Sequence, residues 1–124
     1  MGKLIINSKG TLLKITDYMH DSGFKVENII YNRDTKIFRI KTKEYEYRGH
    51  FISRKTNIVK QEYELILEDV EECDIVEKDR KGYNAVEEDY FNFIKVNKEG
   101  IIIKTTFHEI RLKVSKIKGV LLFI

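Results

Sequence analysis

Residues 90 to 107 read YFNFIKVNKEGIIIKTTF, two apolar, β-branched and aromatic runs separated by Asn97-Lys98-Glu99-Gly100. Such runs on either side of a short polar turn form a β-hairpin, and Gly100 stands where a bulge or turn needs positive φ. The pattern continues on both sides. Downstream, Ile110, Leu112 and Val114 alternate with Arg111 and Lys113, and Val120 to Ile124 follows Gly119 as a closing strand. Upstream, Ile58 to Leu67 sets Val59, Tyr63, Leu65 and Leu67 against Lys60, Glu62 and Glu64, the period-2 alternation of a strand with one wet face.

The first third of the chain has a different rhythm. Lys3 to Ile6 reads as a short strand. From Thr11 to Ser22, Leu12, Ile15 and Met19 recur at helical spacing, with Gly23 as the expected C-terminal stop. Phe24, Val26, Ile29, Ile30 and Tyr31 read as a strand, Asn32 to Lys36 as a polar turn, and Ile37, Phe38, Ile40 and Thr42 as the returning strand. Tyr45, Tyr47, Phe51 and Ile52 extend that strand or begin another around Gly49. Between Glu68 and Glu88 the pattern is weakest, with a short strand expected at Cys73 to Val76 and a polar loop from Lys78 to Asn84. Helix first and short connections afterwards predict an α+β fold. One N-terminal helix packs on a mainly antiparallel, hairpin-built β-sheet, or on an open barrel or sandwich made from it.

Composition bounds the class. The chain has 124 residues, 42% hydrophobic and 35% charged, with one cysteine and no proline or tryptophan. That length supports one core without a metal or disulfide staple, and its aliphatic and aromatic content is that of a folded chain, so residues 1 to 124 are expected to form a single domain. No apolar run approaches the roughly 20 residues a membrane-spanning helix needs, and no leader is evident, so no membrane contact and a cytoplasmic location are expected. Cys73 is alone and has acidic neighbours, which suits a small apolar side chain and not a nucleophile.

Chemistry-bearing patterns are few. His20, His50 and His108 are 30 and 58 residues apart, Cys-x-x-Cys is absent, and neither a metal nor a cofactor is expected. His20 is expected in the last helical turn, where a cation meets the negative end of the helix dipole. A nucleophile elbow, a P-loop and a dinucleotide fingerprint are all missing, so catalysis is not expected. Charge layout is more informative than net charge, which is only +3. Residues 68 to 79 hold seven acids against one Lys, whereas residues 36 to 60 hold eight Lys or Arg against two Glu. Two partner surfaces follow. Glu68, Asp69, Glu71, Glu72, Asp74 and Glu77 form an acidic patch suited to a basic protein partner by fast electrostatic association. Arg39, Lys41, Lys43, Tyr45 and Tyr47 share one strand face, a basic and aromatic combination that single-stranded nucleic acid uses. The basic face is the weaker of the two readings, because the solvated side of an antiparallel sheet in a Lys-rich chain is basic by composition.

The run Tyr18-Met-His-Asp-Ser22, followed by Phe24 to Tyr31 and a hairpin into Phe38-Arg-Ile, resembles the opening of a loose group of small uncharacterised bacterial α+β domains. The segment Thr105-Thr-Phe-His-Glu109, leading into an alternating strand to Val114, is similar to their closing segment, with Glu109 where those domains usually carry Gly. Some members of that group are described as immunity proteins of toxin systems. What the resemblance implies is a binding protein more than an enzyme, with Glu109 replacing the Gly of the tight turn; the reading adopted is a non-catalytic binding protein with a protein partner. A sheet-based nucleic-acid-binding domain is the alternative, and an enzyme with an unrecognised site the third. Hairpin-built sheets leave edges, so a homodimer through an edge strand is a further expectation, with Val120 to Ile124 an apolar terminal strand unless it pairs inside the domain or across the dimer.

Overall fold

The computed structural model describes residues 2–46, 58–78 and 88–124. Tyr47, His50, Phe51, Ile52 and most of the expected 78–84 loop lie outside the described residues. The elements in chain order are β1 (Gly2–Ile6), α1 (Lys9–Met19), β2 (Gly23–Phe24), a 3-10 turn at Val26–Asn28, β3 (Ile29–Asn32), β4 (Ile37–Glu46), β5 (Ile58–Leu67), β6 (Val70–Glu77), β7 (Asp89–Asn97), β8 (Gly100–Thr105), β9 (His108–Val114) and β10 (Gly119–Phe123). All pairings are antiparallel, in the order β1-β10-β5-β4-β2-β7-β8-β9-β6, with β3 on β4 beside β2. The fold is therefore α+β, one helix on a hairpin-built sheet that is not closed.

Each hairpin has a local cause. Gly100 pairs with Asn97 and takes φ 147°, where an added Cβ would stand 2.1 Å from the Leu112 carbonyl oxygen. The Asn97 side chain accepts the amides of Glu99 and Gly100, closing the turn. Asn32 does the same for Asp34 and Thr35 before β4, and Lys36 completes that turn with φ 59°. The β8–β9 turn is tight with Glu109 in place: Lys104 pairs with Glu109 across it, so Glu109 is an ordinary strand residue.

Three local expectations need correction. Helix α1 begins two residues earlier and ends three residues earlier than the 11–22 span, because Ser8 caps it reciprocally with Thr11, and the chain turns at His20. The left-handed residue after the helix is Asp21 (φ 65°), and Gly23 instead pairs with both β4 and β7, with the Glu88 carboxylate where its Cβ would be. The strand expected over 24–31 is interrupted by the 3-10 turn, whose Asn28 side chain accepts the Lys25 amide. Only Ile29–Asn32 of that run forms the hairpin with β4.

One core joins the elements. Leu12, Ile15 and Met19 of α1 are fully buried against Ile6, Phe38, Ile40, Leu65, Phe91, Ile103 and Leu121 from the inner sheet face. Each such side chain contributes about 2 kcal/mol through its removal from water. Beside them, Tyr18 and Tyr63 both meet the Phe123 ring edge-on, at 5.2 and 5.6 Å. Burial, and then its hydrogen bond to Glu44, push the Tyr63 phenol up to about 12. The run Val120 to Ile124 supplies the closing strand and pairs inside the domain. Strand β10 is paired on both sides, by β1 and β5, and among the described residues the ends of the sheet are β1 and β6.

Candidate functional site

Strand β6 carries most of the acidic patch, and its alternation sorts the carboxylates. Cys73 and Ile75 pair with buried Leu112 and Ile110, while Glu72 and Asp74 point to the other face, opposite Lys113 and Arg111. Glu68 and Glu71 are neutralised locally, by Lys118 at 3.8 Å and Lys36 at 3.1 Å. Asp69 occupies a corner with φ 56°, where its carbonyl accepts the Ser115 amide. Glu77 pairs in register with His108 at the far end of the strand. Arg111 donates from Nε to Glu109 at 2.6 Å, and Lys104 bonds the same carboxylate. These two cations hold the Glu109 carboxyl below its usual range.

Arg111 is thus turned away from Asp74. Among the described residues, Glu72 and Asp74 make no ion pair, and both are exposed. They line a groove of about 730 Å³ on the outer face of β6, β9 and β8, together with Ile102, Arg111 and Lys113. Among the described residues, the acidic patch thus leaves Glu72 and Asp74 as exposed carboxylates without an ion pair on β6, and Asp69, half-buried at the corner before it, without one as well. Cys73, between them, has its thiol pushed up to about 11, by burial first and by the Asp74 charge second, so it is held as a thiol.

The basic face is electrostatically different. Arg39 and Lys41 share the nearly buried Glu64 at 3.5 and 4.0 Å, and Lys43 lies 3.7 Å from Glu62. Tyr45 donates its hydroxyl to Glu88. Cross-strand register causes this, since β4 places Lys41 opposite Glu64 and Lys43 opposite Glu62.

The two histidines among the described residues have different settings. His20 is the residue after α1, not in its last turn, and its Nδ1 lies 2.8 Å from the Asn92 carbonyl oxygen on the exposed side of β7. His108 is buried, with Nδ1 2.7 Å from Asp89 Oδ2. Asp89 also accepts the Thr105 hydroxyl and the amides of Tyr90 and Phe107, so one buried carboxylate ties the start of β7 to the β8–β9 turn. Sequence reasoning singled out Thr105 to His108 but missed Asp89, for an Asp that ends the acidic run Glu87-Glu88-Asp89 carries no spacing signal. Asp89 and His108 have the arrangement of a base and its orienting acid, yet the contacts are those of a turn lock. Among the described residues no three His, Cys, Asp or Glu side chains are placed to hold a metal ion, and no helix is long and apolar enough to cross a membrane. No protein-family model, curated protein or solved structure matches the chain.

Proposed function

We propose that the protein is a non-catalytic binding protein that receives a basic segment of a protein partner along β6. The observation that carries this reading is the pair of exposed, unpaired carboxylates, Glu72 and Asp74, on a strand at the end of the sheet and inside a groove. An edge strand offers backbone donors and acceptors to an extended partner, and alternate carboxylates select Lys or Arg at alternate positions of it. Exposed Ile75 on the opposite face adds apolar contact. The most specific form of the proposal is a cytoplasmic, immunity-type protein that occludes a basic toxin. The nucleic-acid alternative has less support, because Arg39, Lys41 and Lys43 each have a glutamate within 4.0 Å.

An alternating Lys–Val peptide tests the proposal by fluorescence anisotropy. It should bind with an affinity that falls as salt rises, and Glu72→Lys with Asp74→Lys should weaken it by about tenfold or more. Unchanged affinity in that double variant, or preference for a single-stranded oligonucleotide over the peptide, overturns it.

A further inference from the structure

The inner face of the β1-β10-β5-β4 portion of the sheet shares one core with α1 and with Phe91, Ile103 and Ile110, whereas its outer face is partly apolar and, among the described residues, uncovered. Register sets Ile5, Val120 and Ile66 side by side in one row across β1, β10 and β5, with Leu122 beside them. Ile5 is 53% exposed. Together with Ile37 and Ile117, these four residues line a groove of about 660 Å³. Lys3, Lys116 and Lys118 stand around it against a single acid, Glu68, which lies 3.8 Å from Lys118. Among the described residues Lys3 and Lys116 have no ion pair. The groove is thus an apolar floor inside a basic rim, on the opposite end of the sheet from β6.

We infer that this outer face docks an amphipathic helix of another protein, apolar on one side and flanked by acidic residues. Three facts select that occupant. Net positive charge at the rim calls for carboxylates on the partner. A second copy of the chain packed symmetrically would bring the same lysines against one another, because an isologous interface uses the same patch twice. The surface is also concave, and three adjacent strands span about 10 Å, the width of one helix, whereas a planar bilayer would leave the floor unfilled.

The test uses two synthetic helical peptides with the same leucine face, one flanked by Glu and the other by Lys, titrated into the isotope-labelled chain. The Glu peptide should shift amide signals of residues 2–6 and 116–123, and the Lys peptide should bind about tenfold more weakly or not at all. Ile5→Ser and Lys3→Glu, both at exposed edge positions, should each weaken the Glu peptide by about threefold or more while leaving the circular dichroism spectrum unchanged. Equal binding of the two peptides, shifts confined to β6, self-association as the sole change in light scattering, or preference for anionic phosphatidylglycerol vesicles overturns the inference. The Glu72→Lys, Asp74→Lys chain should bind the Glu peptide as the wild type does, so this surface fails or stands independently of the β6 site.

Discussion

Gly100 and Gly10 show how much the meaning of a residue depends on where the backbone puts it. At Gly100, φ is 147° and a Cβ would collide with the Leu112 carbonyl, so Gly100→Ala should cost about 3 kcal/mol in urea unfolding. At Gly10, in the first turn of α1, a Cβ would meet nothing nearer than Ser8 Oγ at 3.9 Å, and Gly10→Ala should gain about 0.5 kcal/mol. Equal effects of opposite expectation would refute the backbone assignment at both positions. Asp89 is the other residue on which local structure turns. It accepts from two amides, a hydroxyl and an imidazole nitrogen while almost fully buried, so Asp89→Ala leaves several donors without a partner. The expected loss is about 3 kcal/mol, read by the same unfolding curve, and a loss below 1 kcal/mol would show that the network contributes little. The role of Gly100 was legible because Asn-Lys-Glu-Gly between two apolar runs permits few geometries. Asp89 was not, because three of its four partners are 16 to 19 residues away and meet it only once β8 and β9 have paired.

Among the elements, the strands of strict alternation were the most legible. The β5 span over Ile58–Leu67 and the β7–β8 hairpin follow directly from period-2 patterning. Elements whose form depends on caps and crossings were less so. The end of α1 is set by the turn through Asp21 and by the bond from the Asp21 amide to the Phe91 carbonyl, neither of which leaves a mark in hydrophobic period. Strand β6 was read short because its charged residues mask the alternation that pairs Cys73 and Ile75 with buried positions of β9. Glu109, on β9, makes a pH prediction. Lys104 and Arg111 lower its folded-state pKa below the ordinary value of 4.5, so the stabilisation is present above that value and disappears as pH falls through the lowered one. Glu109→Gln should therefore be less stable than wild type at pH 7, with the two melting temperatures converging as the solution is acidified below pH 4. A gap that stays constant down to pH 2 would contradict the ion-pair account.

For the molecule as a whole, charge separation along the chain becomes separation across the sheet. Local lysines neutralise Glu68 and Glu71 of the acidic segment while Glu72 and Asp74, among the described residues, stay exposed without an ion pair on β6, and cross-strand glutamates turn the basic strand face into a paired ladder. Among the described residues, Lys3 and Lys116, which lie beside the apolar outer face of β1 and β10, are cations without an ion pair. The sign of each region was legible in composition, but its availability was not, since pairing is decided by contacts between residues up to 50 apart, as Glu68 and Lys118 are. The central claim is that β6 is the edge a partner uses. Amide hydrogen exchange with and without the alternating Lys–Val peptide tests it most directly. Strand addition at β6 should slow exchange across residues 71 to 77 and leave residues 2 to 6 unchanged, whereas protection at β1 and β10, or none anywhere, would contradict it.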